Sequence, residues 1–251
     1  MRKISLIIPI YNEELHLQKF LEELDSHDLG IKKELVIVDD CSTDRTSSII
    51  EKFKFESEYK FYKQQVNQGK GAALRLGISH ATGDVIGIQD ADFEYDIQDI
   101  ARVIAPLIDG RFDVIYGSRF KKGGTQVHRT FHYLINRLLS TLSNICSGLY
   151  LSDMETCYKF FKAEVIKNIE LESNRFGFEP EVTAKIARLK LRVGEIPISY
   201  YPRSYIEGKK ICWRDGVAAL WHIVYFNFLI SPNKSFKNLP RRYLANKYQW
   251  L

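Results

Sequence analysis

The chain has 251 residues, 45% of them hydrophobic and 27% charged, with a net charge of +5. That length buries a sizeable core in one α/β domain and leaves room for a tail, and the composition excludes a disordered or fibrous chain. The charge excess suits an anionic membrane surface or phosphorylated substrates, and no nucleic-acid partner is expected.

The four cysteines, Cys41, Cys146, Cys157 and Cys212, form no CxxC pair, so neither a zinc site nor a disulfide framework is expected. Met1-Arg2-Lys3 runs into a short apolar segment without the length or cleavage site of a signal peptide, which predicts a cytoplasmic protein.

In chain order, Ile4 to Pro9 predicts a buried strand and Glu13 to Asp25 a helix with apolar Leu15, Leu17, Leu21 and Leu24. Leu35 to Val38 is the next strand, and Ser42-Thr43-Asp44 starts a helix with capping residues. A strand near Lys60–Gln64, a helix from Gly69 to Ser79, a strand from Val85 to Gln89 and another from Val114 to Gly117 follow. This alternation predicts a Rossmann-like, mostly parallel sheet with helices on both faces. Phe131 to Tyr150 reads as an amphipathic helix or helix pair. Phe160–Phe161 and Ile196–Tyr200 read as strands, and Pro180 to Leu189 as a helix. Gly216 to Ile230 is strongly apolar but shorter than the roughly 20 residues that span a bilayer. Residues 1–230 are expected to form the catalytic domain, and residues 231–251 a basic and aromatic tail.

Ligands of doubly wound sheets bind outside the carboxyl ends of the strands. Three polar clusters fall there: Tyr11-Asn12-Glu13, Asp39-Asp40 and Asp90-Ala91-Asp92. Asn12, Ser42 and Thr43 read as turn and capping residues. Asp90 and Asp92, one residue apart at a strand end, can converge on a hard cation, and Glu94 can add an oxygen. With no histidine or cysteine nearby, Mg²⁺ or Mn²⁺ fits better than zinc. Of the pair Asp39 and Asp40, one suits a helix N-terminus. The other, assigned as Asp40, suits a ring N–H of uracil or guanine, with Tyr11 stacking on the base. Among the basic residues Arg119, Arg129, Lys159, Arg203, Lys209 and Lys210, the last three lie in Tyr201–Lys210. That stretch also holds Pro202 and Gly208, and has the make-up of a loop that closes over a diphosphate.

These landmarks, in this order, resemble family 2 glycosyltransferases of GT-A fold, in the branch acting on dolichyl or polyprenyl phosphate. The residues that carry the resemblance are Ile8 to Glu13, Val36 to Asp44, Asn67-Gln68-Gly69-Lys70-Gly71, Asp90-Ala91-Asp92 and Gly117-Ser118-Arg119. Asp153 to Lys159, Pro180-Glu181 and the loop Arg203 to Lys210 complete it. It covers nearly all of Ile4 to Ile230. It implies that Pro9, Tyr11, Glu13, Val38, Asp40, Asp90 and Ala91 line the donor pocket, and that Asp92 and Glu94 hold the metal. Arg203 and Lys209 would contact the donor diphosphate, and Arg119 and Arg129 the acceptor phosphate. Asp153-Met154-Glu155-Thr156-Cys157-Tyr158-Lys159 departs from the family's Gly-Phe-Arg-like ending. Cys157 and Tyr158 replace Gly-Phe, and Lys159 cannot form Arg's bidentate fork. Relatives often carry Gln at the position of Glu94, and transmembrane helices after the catalytic domain.

The implied reaction moves a hexose, with inversion, from a UDP- or GDP-sugar to a polyprenyl phosphate. A phosphate acceptor needs no general base, whereas a sugar hydroxyl would, with Asp153 as its candidate. Two alternatives stand beside this reading: a family 2 enzyme acting on a saccharide or protein hydroxyl, and a non-catalytic nucleotide-binding module. No GxGxxG follows the first strand, which argues against a dehydrogenase. Peripheral attachment to the inner face of the membrane is expected through residues 216–251, and a homo-oligomer is left open.

Overall fold

The first strand shows why the sheet forms. In β1 (Lys3–Ile10), Ile4, Leu6, Ile7 and Ile8 are all fully buried, so both faces of the strand are covered. Such continuous apolar runs mark strands sandwiched between helices. The structure is a computed structural model that describes residues 1–121, 130–202, 213–231 and 234–244, without the side chains of 130–132 and 213–215.

The elements follow as α1 (Leu17–Ser26), β2 (Lys32–Asp39), α2 (Thr46–Lys52), β3 (Glu58–Lys63), α3 (Lys70–His80), β4 (Val85–Ile88), α4 (Asp99–Ile108) and β5 (Val114–Ser118). After them come α5 (Thr130–Ser147), β6 (Lys159–Lys162), the short α6 (Ala163–Ile166), α7 (Phe178–Ala187), β7 (Val193–Pro197) and α8 (Trp213–Val224). A π-helical turn, Tyr225–Leu229, extends α8.

The seven strands lie in the order β3-β2-β1-β4-β6-β5-β7. All pairs are parallel except those of β6, which runs antiparallel to both β4 and β5. The order reverses direction at β1, where the chain steps out to β2 and β3 and returns to β4. Right-handed crossovers then put α1 and α2 on one face and α3 on the other. The expected mostly parallel sheet is present, with one reversed strand. The last strand comes slightly earlier than the pattern predicts: Val193–Pro197 pairs with β5, while Tyr200 makes only an isolated bridge to Tyr95. Phe131 to Tyr150 resolves to a single helix, α5.

Beside the main core, Leu139 of α5, Met154, and Ala219 and Ile223 of α8 form a second cluster. The two helices therefore clamp the segment that precedes β6. Their outer sides are apolar: Leu134, Leu138 and Ile145 on α5, and Val217, Trp221 and Val224 on α8, are all exposed. Residues 234–244 fold back on the domain. Phe236 bridges Ile169, Leu244 bridges Leu189, and the buried Tyr243 donates its hydroxyl to Glu164 Oε1 at 2.6 Å.

Candidate functional site

The carboxyl ends of β1, β2 and β4 share a backbone signature. Asn12, Cys41 and Phe93, each in the loop leaving one of these strands, have φ of 50°, 63° and 55°. Left-handed backbone in a residue other than glycine is uncommon, and such residues cluster at functional sites. Among the described residues no other non-glycine adopts it.

Hydrogen bonds tie the first two loops together. Asn12 N donates to Ser42 Oγ at 2.9 Å, Thr43 N to Asn12 Oδ1 at 2.8 Å, and Glu13 N to Thr46 Oγ1 at 3.0 Å. Asp39 is fully buried and accepts from Ser42 N at 2.8 Å and from Ser47 Oγ, holding the start of α2. Asp40 accepts from Gln64 Nε2 at 3.0 Å, Gln68 N at 2.8 Å and Gly69 N at 2.7 Å. It orders the loop before α3, and three of its roughly four acceptor positions are thereby filled. Pro9 and Val38 face each other in the β1–β2 register, and Tyr11 stands at the rim, 36% exposed.

That loop delivers Lys70, which has no role assigned from sequence. Its Nζ lies 2.9 Å from Asp90 Oδ2 and 3.5 Å from Glu179 Oε1, joining β4 to α7. Burial alone would lower its pKa, but Asp90, with a smaller contribution from Glu179, holds it well above the ordinary lysine value. Two glycines make the approach possible. Gly69 has φ of 96°, and a Cβ on Gly71 would sit 2.3 Å from the Ser173 carbonyl oxygen. The start of α3 thus lies directly on the backbone of residues 173–175, with Gly71 N and Ala72 N donating to Arg175 O and Asn174 O.

Beyond Asp90 and the buried Ala91, Asp92 Oδ1 accepts from Glu94 N at 3.1 Å. Glu94 Oε2 accepts from the Tyr200 hydroxyl at 2.7 Å, and Tyr201 N donates to Glu94 O at 2.8 Å. The acidic loop is therefore tied to the residues that lead into 203–212. Among the described residues no three metal-binding side chains already converge. The donors at hand are carboxylate oxygens only. Mg²⁺-like cations commonly bind through one or two carboxylates and complete their shell with water and substrate phosphates. Asp92 and Glu94 fit such a cation.

At the end of β5, Arg119 is committed to Asp153. Nε donates to Oδ2 at 2.7 Å, Nη2 to Oδ1 at 2.8 Å, and the backbone N to Oδ2 at 3.0 Å. Asp153 is fully buried, and the guanidinium lies 5.1 Å from the Tyr200 ring centroid. Burial opposes the charge on Arg119, but Asp153 raises its pKa well above the usual range. Lys159 is fully buried in β6. Its ammonium donates to Met154 O at 2.9 Å and to Thr156 O, folding the loop before the strand, and burial lowers its pKa. Arg129, Arg203 and Lys209 lie outside the described residues.

The structure therefore brings Pro9, Tyr11, Glu13, Val38, Asp40, Asp90, Ala91, Asp92, Glu94, Arg119 and Asp153 to one edge of the sheet. It adds Lys70, Glu179 and Tyr200. For Lys70 a signal existed: it stands between Gly69 and Gly71, where close backbone approach would place it. Glu179 and Tyr200 carry no local pattern and meet the site only through the fold.

Comparison with known proteins agrees with this geometry. Residues 5–170 match the model of the family described as "Glycosyl transferase family 2". The chain is 31% identical over 226 residues to a dolichyl-phosphate β-glucosyltransferase of Trichomonas vaginalis, covering 83% of this chain and 68% of the relative. It is 29% identical over 210 residues to a dolichol-phosphate mannosyltransferase of Pyrococcus furiosus, covering 82% of this chain and 59% of that one. The second relative thus extends well beyond the shared region. The fold is shared with the crystal structure of glucosyl-3-phosphoglycerate synthase from Mycobacterium tuberculosis, with a TM-score of 0.68 at 17% identity over 90% of this chain and 80% of that one. Another structure of that enzyme, in complex with Mn²⁺, UDP and glucosyl-3-phosphoglycerate, gives a TM-score of 0.65 at 18% identity over the same shares. With a GT-A sheet, an acidic loop at its ligand edge and the family's landmarks in order, the chain belongs to glycosyl transferase family 2.

Proposed function

We propose that this glycosyltransferase moves a hexose, with inversion, from a nucleoside diphosphate sugar to a polyprenyl phosphate. The observation that carries the choice of acceptor is the Arg119–Asp153 pair. Asp153 is the residue placed to activate a hydroxyl, but both its oxygens accept hydrogen bonds from a buried arginine. With both oxygens engaged by a guanidinium, the carboxylate is not free to approach a hydroxyl. A phosphate monoester is already an anion and asks only to be held near the donor. The names of the dolichyl- and dolichol-phosphate relatives support the same choice.

In this reading Pro9, Tyr11, Glu13, Val38 and Asp40 enclose the nucleoside, with the fourth acceptor position of Asp40 left for a base N–H. Asp92 and Glu94 would hold Mg²⁺ or Mn²⁺, which when bound supplies positive charge to the leaving diphosphate. Lys70 fixes Asp90, and Arg203 and Lys209 close on the diphosphate. Arg119, braced by Asp153, presents its remaining N–H groups to the acceptor phosphate together with Arg129. Lys159 acts through the loop it folds and is a positioning residue.

The acceptor's prenyl chain stays in a bilayer, so the enzyme must work against one. No described helix is long and apolar enough to cross a membrane. The exposed apolar sides of α5 and α8, continued by Phe228 and Leu229, offer instead a face that lies in the interface. Peripheral attachment at the cytoplasmic leaflet, with residues 1–230 as catalytic domain and 231–251 as a tail whose residues 234–244 lie back on that domain, completes the proposal. A second copy covering the same face is the competing outcome.

The test is mass spectrometry of products from UDP-glucose, GDP-mannose and related donors offered polyprenyl monophosphates or oligosaccharides with Mg²⁺ or Mn²⁺. A glycosyl phosphoprenol is expected. Transfer to saccharide hydroxyls alone refutes the acceptor assignment.

A further inference from the structure

Because β6 runs against its neighbours, the segment before it arrives at the sheet edge where β4 and β5 deliver Asp90 and Arg119. In the lateral order β4-β6-β5, Glu155 and Thr156 lie between those two residues. Their side chains are anomalous. Glu155 Oε1 and Thr156 Oγ1 are both sealed from solvent and have no hydrogen-bond partner. Buried polar atoms are nearly always paired, and an orphan calls for a reason.

A loose loop is not the reason, because every neighbour is pinned. Asp153 holds Arg119, Lys159 grips the carbonyls of Met154 and Thr156, Cys157 N donates to the Tyr95 hydroxyl at 2.9 Å, and the Tyr158 hydroxyl donates to Gln89 Oε1 at 2.5 Å. Glu155 as a residue is partly exposed, while its Oε1 is turned inward. Burial, and after it the charge of Glu179, pushes the carboxyl up to about 8, with Lys159 and Arg119 opposing. In its protonated form the group can donate and accept at once.

We propose that Glu155 and Thr156 form the subsite that holds hydroxyl groups of the transferred sugar. The inference rests on the nucleotide-sugar reading above and adds to it the residues that choose the sugar. An uncharged polyol matches two orphan oxygens that can both give and take hydrogen bonds. An acceptor phosphate has Arg119 for its partner, whereas a carboxyl and a hydroxyl oxygen suit the hydroxyl groups of a sugar. A site built to bond a substrate hydroxyl discriminates strongly against analogues that lack it.

Calorimetric titration with Mn²⁺ present, using UDP, UDP-glucose, GDP and GDP-mannose, tests this. The donor is whichever nucleotide sugar wild type binds more tightly than its own nucleoside diphosphate. Glu155→Ala should weaken binding of that donor by about tenfold or more while leaving the diphosphate within about twofold. Glu155→Gln, neutral and able to donate, should stay within about threefold of wild type for both. Thr156→Val should weaken only the nucleotide sugar. Glu155→Ala should also melt no lower than wild type, since it removes an unpaired group rather than a contact. Equal losses for sugar nucleotide and diphosphate, no loss at all, or a lowered melting temperature with unchanged binding would each overturn the proposal. Failure of wild type to bind any nucleotide sugar refutes the donor reading beneath it, and the inference falls with it.

Discussion

At the scale of single residues, the acidic loop makes the sharpest prediction. Asp92→Ala removes charge and a ligand oxygen together. Turnover should fall at least ~100-fold, the usual scale for losing one electrostatic stabiliser, with the melting temperature unchanged. Near-normal activity in Mn²⁺ would remove Asp92 from the metal site. Arg119 behaves differently, because its removal strands a fully buried carboxylate. Arg119→Ala should destabilise the fold by about 3–5 kcal/mol. Adding Asp153→Asn should recover part of that loss in urea denaturation, since it removes the uncompensated charge, but should restore no activity. The sequence showed which acids and bases gather at the strand ends. It did not show how they are spent. Asp40 spends most of its acceptors on Gln64, Gln68 and Gly69, and Lys159 spends its ammonium on backbone carbonyls, because partners that distant are chosen by tertiary packing.

At the scale of elements, Gly71 and Asp113 each hold a junction. Gly71→Ala would press a methyl group against the Ser173 carbonyl, and α3 would have to lift from residues 173–175. Melting temperature and activity should fall together, because the shift also moves Lys70 away from Asp90. Asp113 joins three strands: it accepts from Lys162 Nζ at 2.6 Å at the end of β6, and from Arg192 N at 2.9 Å and Nη2 at 3.1 Å before β7. Those partners outweigh burial and hold its carboxyl at about 2, below the unfolded value of 3.8. A depressed carboxylate pKa stabilises the fold above the unfolded pKa, and that stabilisation is lost as pH falls through the folded one. The stability gap between wild type and Asp113→Asn should therefore be full at neutral pH, narrow below about pH 4 and close near pH 2. Equal gaps across that range in urea titrations would show that the carboxylate's charge is not what matters. Most elements were legible because apolar runs and 3.6-residue periodicity survive in β1, β2, α1 and α5. The reversal of β6 was not, since Phe160-Phe161 reads the same in either direction.

At the scale of the whole molecule, the apolar face belongs to two helices far apart in sequence. The apolar content of Gly216–Ile230 pointed to one of them, but only the packing of α5 against α8 brings the two exposed faces together. The basic and aromatic tail is in part already used, with Phe236 and Tyr243 turned onto the domain. Flotation with anionic liposomes should recover the wild-type protein at low salt, and Trp221→Glu with Phe228→Glu should reduce recovery several-fold without loss of fold. A variant that floats equally well, or that only breaks a dimer, would move membrane contact elsewhere. The inverted strand also bears on how the chain is made. β5 cannot join the sheet beside β4 until β6 is inserted between them, and β6 leaves the ribosome long after both. Until then the nascent chain carries an unpaired, wholly apolar β4 edge, the kind of edge that invites aggregation. Chains that terminate between β5 and β6 should therefore be insoluble rather than merely inactive, and the sugar-facing loop is among the last parts of the enzyme to take shape.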